Sequence, residues 1–377
     1  MSHYPLAGCR VLDLGIITAG ASTTALLADL GADVIKVESS AYIDPFRAWD
    51  RGQGAADWWN QSRFFAFTNR NKRDLALDLK SPRGRELFLD LVEGADVVVE
   101  NFRRGVMERL KLDYATLAAR NPRVILVSVT SQGETGPDAT AASFGSTLEA
   151  TSGLADLTRD ADGTPLISGI LLNYPDQIVS IYAAGVTALA VMEQRRTGRG
   201  ARIDISQREL ASFLIGEHIL AASAGAIPAP PESSEPPATV LVAGSDGRWL
   251  LCHGSSQTAL AQATRELAPG GRSALDASAL TAALAELDVQ AVAVRNADDL
   301  LDAVRRGDSQ LAFARAPDGS DVKGMPWAAA DAPLTVQRRA PALGEHNAEI
   351  LRDLLGLNED AIAALDAEGI IGTRPTM

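Results

Sequence analysis

The chain has 377 residues, more than one hydrophobic core usually supports, so two domains are expected. Apolar residues make up 46% and charged residues 22% of the sequence, which is ordinary for a soluble globular enzyme. The net charge of −13 argues against nucleic acid or an anionic membrane as the main partner.

The sequence gives no sign of a disulfide framework, a metal site or a membrane segment. The two cysteines, Cys9 and Cys252, suit a reducing compartment, and a cytoplasmic protein is expected. The four histidines are scattered and offer no metal-ligand spacing. The first residues have no signal-peptide pattern, and no apolar run reaches about 18 residues, so no transmembrane helix is expected.

The first forty residues predict a strand, a loop, a helix and a second strand. The strands are expected at residues 10–14 and 33–38, and the helix at 24–30, capped by Ser22 or Thr23 and ended by Gly31. This βαβ unit predicts a parallel sheet, whose ligands bind at the carboxyl ends of the strands. The loop glycines, Gly15 and Gly20, do not form a dinucleotide fingerprint, and no Walker lysine follows.

Basic residues follow several of the predicted strands. Residues 69–73 carry three positive charges, and residues 101–105 follow the predicted strand 96–100. Arg103, Arg104 and Arg109 could each bind a phosphate bidentately. In a chain of net charge −13 such clusters favour an anionic, phosphate-rich ligand at the sheet edge.

Asp176 lies between an apolar run at 167–172 and a small-residue helical run at 178–189. Pro175 fits the first turn of a helix, and Asp176 fits its start. A carboxylate there faces unpaired N–H groups and the positive end of the helix dipole. Asp176 is therefore either a helix cap, which is the commoner role, or a nucleophile held ionised and partly desolvated.

Seven blocks occur in a characteristic order: PLAGCRVLDL, LLADLGADVIKVE, NRNKRDLALDLK, ADVVVENFRRGVMERL, NPRVILVSV, SGL and RRTGRGARIDIS. This order resembles the class III coenzyme A transferases, the family of formyl-CoA transferase, carnitine CoA-transferase and α-methylacyl-CoA racemase. The resemblance covers residues 5–210 and returns at 324–327 and 343–357. Residues 228–322 match weakly and look shortened.

The resemblance implies an α/β fold with a Rossmann-like large domain, built on a parallel sheet, and a smaller α/β domain. The large domain would comprise residues 1–225 and 327–377, the small domain 238–323, and the linkers 226–237 and 324–327. The small domain has a hairpin signal at residues 244–247 and helical patterns near 257–266 and 279–287. In the family, two chains form an interlocked homodimer.

The resemblance also implies a mechanism, because Asp176 lies where the family has its catalytic aspartate. That carboxylate attacks an acyl-CoA thioester, forms a mixed anhydride and then an aspartyl-CoA thioester, and a free carboxylic acid takes the coenzyme A. Coenzyme A is thus a substrate, and no metal is implied. The positions that match the family's coenzyme A contacts are Ile16, Thr18, Ala19, Leu77, Lys80, Asn101, Phe102, Val106 and Arg109.

Four departures from the family argue against formyl or oxalyl substrates. Ile16 and Thr18 replace a histidine and a glutamine of formyl-CoA transferase, and Ser39 stands where a basic residue is often found. Gly145 replaces an acidic residue, and the glycine-rich loop has no clear equivalent. Two alternatives stay open beside the transferase: an acyl-CoA racemase or epimerase, and a non-catalytic CoA-binding dimer. The racemase branch has a histidine near the position of Phe144, and phenylalanine cannot exchange a proton.

Overall fold

The computed structural model describes residues 4–50, 56–159, 162–168, 174–225, 239–307, 313–324 and 335–376. The chain forms two compact units, the larger of Met1–Gly216 with Ala312–Met377 and the smaller of Glu217–Leu311.

A six-stranded parallel sheet forms the centre of the larger unit. Its strands are β1 (Arg10–Asp13), β2 (Asp33–Glu38), β3 (Arg73–Ala76), β4 (Val97–Glu100), β5 (Ile125–Thr130) and β6 (Ala201–Ser206). Their spatial order is β3-β2-β1-β4-β5-β6, so the order reverses between β1 and β4. In open α/β sheets this reversal opens a crevice that binds ligands. The predicted Rossmann-like parallel sheet is confirmed.

Helices cover both faces of the sheet because its strands are apolar on both sides. The helices up to β6 are α1 (Ala19–Asp29), α2 (Pro45–Trp49), α3 (Arg63–Asn69), α4 (Pro82–Glu93), α5 (Val106–Leu110), α6 (Tyr114–Arg120), α7 (Gly145–Ser152), α8 (Leu154–Leu157) and α9 (Tyr174–Thr197). They are followed by α10 (Gln207–Phe213) and α11 (Gly216–Ser223). Apolar residues of α1 and α9 pack on one face of the sheet, and those of α4 and α6 on the other.

Helix α1 begins five residues earlier than the sequence predicts. Thr18 is its N-cap residue, whereas Ser22 and Thr23 lie inside the helix. The hydroxyl of Thr23 donates a hydrogen bond to the carbonyl oxygen of Ala19, 2.7 Å away. Polar side chains that bond back to the preceding turn are compatible with a helix interior, so the predicted cap was wrong.

The basic segment 69–73 is not a surface patch. Arg70, Lys72 and Arg73 are all buried, with exposures of 2%, 0% and 8%. Each pairs with a carboxylate of another element: Arg70 with Asp29, Lys72 with Asp13, and Arg73 with Asp33. The prediction that this segment offers its charges to an anionic ligand is therefore wrong, because the fold uses them internally.

Arg47 joins three parts of the larger unit from a fully buried position. Its guanidinium pairs with Glu38 at 2.7 Å and Asp74 at 3.4 Å, and donates to the carbonyl oxygen of Pro341 at 3.2 Å. Burial and then the Glu38 carboxylate raise the pKa of Asp74 well above its usual range. Although burial opposes it, the Arg47 guanidinium holds the pKa of Glu38 below its usual range, so Asp74 is the carboxyl of the pair that keeps a proton.

The smaller unit contains a three-stranded antiparallel sheet with helices. Its elements after α11 are β7 (Thr239–Ala243), β8 (Trp249–Gly254), α12 (Gln257–Leu267), α13 (Ala277–Glu286), β9 (Val289–Ala293) and α14 (Ala297–Arg306). The hairpin and helices expected from the sequence are present. Leu250, Cys252, Leu260 and Leu280 form its apolar core.

The last elements belong to the larger unit: β10 (Phe313–Arg315), β11 (Asp321–Lys323), α15 (Asn347–Leu355) and α16 (Glu359–Ala367). The β10–β11 hairpin was expected in the small domain, 238–323. It belongs instead to the larger unit, where Lys323 donates a hydrogen bond to Gln177 of α9. Residues 217–223, expected in the large domain, group with the smaller unit. The predicted linker 226–237 and residues 325–327 of the second linker lie outside the described residues.

Replacing Arg47 with methionine should destabilise the larger unit by about 3–5 kcal/mol, because it leaves a buried carboxyl pair without its cation. Urea unfolding followed by circular dichroism measures the change. The matched control is Arg196→Met, which removes an exposed arginine paired with Glu193 and should leave the midpoint unchanged. Equal midpoints for the Arg47 variant and wild type would contradict this account.

Candidate functional site

The loop after β1 is tied to the loop after β4 by one asparagine. The N–H of Ile16 donates to Asn101 Oδ1 at 2.7 Å, and Asn101 Nδ2 donates to the carbonyl oxygen of Ile16 at 3.0 Å. A Cβ on Gly20 would lie 2.7 Å from Asn101 Oδ1, so only glycine fits there. The structure thus brings the two predicted contacts, Ile16 and Asn101, together at the switch point of the sheet.

Ile17, in the same loop, has a left-handed backbone with φ of 61°. This conformation is unfavourable for a β-branched residue and persists only where surrounding contacts impose it. The Asp44 carboxylate accepts the N–H of Ile17 at 3.2 and 3.3 Å. Lys36 pairs with Asp44 at 3.0 Å and also donates to the carbonyl oxygen of Gly15. Both charged side chains are fully buried, so the loop is held rigidly.

The first turn of α1 presents free backbone donors next to this loop. Thr18 makes no side-chain capping bond, and the first intrahelical bond runs from Ser22 N–H to the Thr18 carbonyl at 2.7 Å. Among the described residues, nothing accepts the N–H groups of Ala19, Gly20 and Ala21. Unpaired amides at a helix N-terminus favour negative charge. Thr18 and Ala19, both predicted contacts, therefore border a donor-rich position.

Asp176 is half-buried in the first turn of α9, where the sequence predicted a helix start. Its carboxylate has no hydrogen-bond or ion-pair partner in the part of the chain that the structure describes. Burial raises the pKa of Asp176 to about 7. A capping carboxylate would accept a backbone N–H, and no such bond exists among the described residues. The missing cap bond argues against the capping role, and burial agrees with the partly desolvated carboxylate of the second interpretation. The expectation that the helix start holds this carboxylate ionised is wrong below about pH 7, because burial raises its pKa.

The second turn of α9 lies against the first turn of α1. The hydroxyl of Ser180 is 3.1 Å from the carbonyl oxygen of Ala19 and 2.6 Å from that of Asp176. Asp176 precedes Ser180 by four residues, so the two side chains share a helix face. The Asp176 carboxylate and the first-turn amides of α1, which have no partner among the described residues, therefore border the same region.

Three arginines at the carboxyl end of β4 are exposed and can contact a ligand. Arg103, Arg104 and Arg109 are exposed, and none has a carboxylate partner among the described residues. Gly105 has φ of 80°, and a Cβ there would lie 3.0 Å from Arg109 Nη1, so the guanidinium crosses over the glycine. Of the other predicted contacts, Phe102 and Val106 are half-buried in the same segment.

Two further predicted contacts follow β3. Lys80 is exposed, so its charge is available to a ligand. Leu77 is fully buried in the apolar cluster beneath the sheet edge. Its side chain is therefore part of the apolar core and is not open to a ligand.

Sequence patterns missed several residues of this region. Lys36, Asp44 and Glu100 look like ordinary surface charges in the sequence, yet all three are buried. Glu100 ends β4 beside a cavity of about 300 Å³, accepts the N–H of Phe102 at 2.7 Å, and has its pKa raised by burial to about 7. For Lys36 and Glu100 the sequence did contain a signal of burial, because each is a charged residue within an otherwise apolar strand. Among the described residues, no cluster of histidine, cysteine and acidic side chains could hold a metal ion.

The raised pKa of Asp176 predicts how stability depends on pH. Between about pH 4 and 7 the folded carboxyl keeps a proton that the unfolded chain releases, so stability falls as pH rises through this range and is level above it. Asp176→Asn removes this dependence. Between pH 5 and pH 8, the stability of the variant relative to wild type should rise by on the order of 2 kcal/mol.

Urea unfolding of both proteins at the two pH values measures the difference. The matched control is Asp360→Asn, which changes an exposed aspartate in the first turn of α16 and should give no such change. If the free energies of unfolding of Asp176→Asn and wild type differ by the same amount at both pH values, the Asp176 carboxyl does not have a raised pKa in the folded protein.

Comparison with known proteins agrees with this geometry. Residues 6–275 match the family model described as CoA-transferase family III. The chain is 32% identical to the succinyl-CoA–D-citramalate CoA-transferase of Chloroflexus aurantiacus, over 97% of this chain and 98% of that one. It is 30% identical to the succinate–glutarate CoA-transferase of Agrobacterium fabrum, over 93% of this chain and 96% of that one.

A solved structure supports the same assignment. The crystal structure of a CAIB/BAIF family protein from Brucella suis has a TM-score of 0.79 and 28% identity, and the match covers 93% of this chain and 99% of that chain. The family expected from the ordered sequence blocks is confirmed. The chain belongs to CoA-transferase family III.

Proposed function

We propose that this protein moves coenzyme A from an acyl-CoA thioester to a free carboxylic acid, with Asp176 as the nucleophile. The observation that carries the proposal is the half-buried Asp176 carboxylate, which has no partner among the described residues and lies beside the uncapped first turn of α1. The family membership and the transferase names of two relatives that match nearly the whole chain support it. Those relatives act on succinate, glutarate or citramalate by name, so a small dicarboxylic acid is the proposed acceptor class.

The reaction proceeds through two kinds of covalent intermediate. The Asp176 carboxylate attacks the thioester carbonyl carbon, the carbon–sulfur bond breaks, and the CoA thiolate leaves a mixed anhydride. The thiolate then attacks the Asp176 carbonyl carbon, which releases the donor carboxylate and forms an aspartyl-CoA thioester. The acceptor carboxylate repeats these two steps in reverse, which restores Asp176. No net proton is gained or lost.

The surrounding structure explains how a weak nucleophile would react. Asp176 is partly removed from water, so less solvent has to be displaced when it attacks. The free N–H groups of Ala19 and Gly20 are candidates to stabilise the negative oxygen that develops on the attacked carbonyl. The buried Lys36–Asp44 pair fixes the preceding loop, so these donors need not reorganise during the reaction.

The exposed arginines are the proposed phosphate contacts. Arg103, Arg104 and Arg109 are exposed and have no carboxylate partner in the described part of the chain. The basic residues of 69–73, in contrast, are held in buried ion pairs. Coenzyme A carries phosphates at its nucleotide end, and guanidinium groups bind phosphate bidentately. Lys80 adds a further exposed charge at the adjacent strand end.

One position favours transfer over racemisation. Phe144 precedes α7 as its N-cap residue and is 68% exposed, and its side chain has no titratable proton. The resemblance attributes proton exchange in racemases to an aspartate and a histidine acting as a pair. This chain has no histidine at that position, so the pair is incomplete.

We also propose that the protein is a homodimer. Ile181, Tyr182, Leu189 and Met192 form an apolar face of α9 with exposures of 47–65%. Helix α9 has the length and composition of a membrane-spanning helix, but Val179, Ala183 and Val191 pack it against the sheet. A second copy of the chain is the proposed cover for the exposed face.

Sedimentation equilibrium should give twice the chain mass, and a monomer at micromolar concentration would contradict the dimer.

Replacing Asp176 with asparagine should abolish transfer while leaving coenzyme A binding intact. Asparagine keeps the size of the side chain but cannot attack a thioester, so the rate should fall by at least about 10³-fold. Wild type incubated with acyl-CoA should carry a mass shift on the peptide containing Asp176, and hydroxylamine should trap it as a hydroxamate. Thermal melting checks the fold, and calorimetry checks coenzyme A binding.

Matched variants separate chemistry from binding. Arg109→Ala should weaken coenzyme A binding by about 1.5–3 kcal/mol and still form the Asp176 adduct at saturating substrate. Arg199→Ala, at the opposite edge of the sheet, should bind normally, and Asp360→Asn should transfer normally. A folded Asp176→Asn protein that transfers coenzyme A near the wild-type rate would overturn the proposed function.

A further inference from the structure

Lys323 contacts the first turn of α9 from a distant part of the chain. Its Nζ donates a 2.6 Å hydrogen bond to Oε1 of Gln177, 146 residues away in the sequence and directly after Asp176. The same ammonium lies 4.9 Å from the centre of the Phe67 ring. Lys323 ends β11, so this bond attaches the β10–β11 hairpin to the start of α9.

No other described side chain from outside α9 hydrogen-bonds to the side chains of Tyr174, Asp176 or Gln177. The next attachment is one turn later, where Ser180 reaches Ala19. Among the described residues, the Lys323–Gln177 bond is thus the one side-chain hydrogen bond that ties the turn carrying Asp176 to another element, beside the packing of the buried Pro175.

We propose that Lys323 is a positioning residue for Asp176, because its hydrogen bond to Gln177 holds the turn that carries the nucleophile. This inference rests on the proposed function, in which Asp176 attacks the thioester. Lys323 would act through Gln177 and need not touch substrate. A displacement of about 1 Å in an attacking group can cost about 100-fold in rate, so such a contact can matter without taking part in the chemistry.

The groups around Lys323 make the contact sensitive to pH. Phe67 faces it from α3, Gln177 from α9, and the Arg70–Asp29 pair completes the surroundings. Burial and then Arg70 lower the pKa of Lys323 to about 8, although Asp29 opposes this. A neutral amine is a weaker donor than an ammonium, so the hold on Gln177 weakens above that pH.

Transfer should therefore decline on both sides of a narrow pH range. The acid limb reports ionisation of Asp176 near pH 7, and the alkaline limb reports Lys323 near pH 8. Lys323→Arg keeps the charge and cannot lose its proton in this range, so it should retain most of kcat and move the alkaline limb above pH 10. Lys323→Met should lower kcat by about 10–100-fold, leave KM for acyl-CoA within about threefold, and lose the alkaline limb.

The experiment measures kcat, KM and the rate of Asp176 adduct formation from pH 5.5 to 10 in wild type and these variants. Arg315→Met, an exposed change on the same hairpin, is the matched control and should behave as wild type. Lys323→Gln replaces Lys323→Met if the latter fails to fold. A Lys323→Met or Lys323→Gln profile equal to that of wild type overturns this inference alone. A wild type that forms no adduct and transfers nothing with a panel of acyl-CoAs overturns the proposed function together with it.

Discussion

The candidate site depends on a group of buried ion pairs beneath the loop that follows β1. Lys36 pairs with Asp44, and Lys72 pairs with Asp13, with all four side chains fully excluded from solvent. Removing charges from water costs free energy that pairing only partly returns, so such pairs are weak evidence for added stability. Their clear effect here is geometric. Asp13 accepts the N–H of Gly15, and Asp44 accepts that of Ile17, which holds a left-handed backbone in place.

This fixed loop sets the position of the first turn of α1. The loop runs directly into α1, which has no side-chain cap. Ser180 of α9 contacts the first turn of α1 at the carbonyl oxygen of Ala19. A carboxylate and a set of free amides are thus held next to each other by rigid elements. Electrostatic stabilisation of a developing negative charge is most effective when the donors are already in position, so the rigidity of the loop supports the proposed chemistry.

The protein separates its positive charges into two groups with different physical roles. Lys36, Arg47, Arg70 and Lys72 are buried and compensate carboxylates inside the larger unit. Arg103, Arg104 and Arg109 stay in solvent at the sheet edge. A net charge of −13 therefore coexists with a local site for an anionic substrate, because the field near a ligand depends on adjacent unpaired charges more than on the total.

From the sequence alone one could predict the alternation of strands and helices, the parallel sheet, the family and the place of Asp176 in the first turn of a helix. These properties follow from local patterns and from the order of blocks along the chain. Tertiary structure decided which basic residues are free: Arg70 and Arg109 look alike in sequence, but one is buried against Asp29 and the other is exposed. It also decided the raised pKa of Asp176 and the contact of Lys323 with Gln177. Burial and pairing arise from residues far apart in the chain, so no local pattern encodes them.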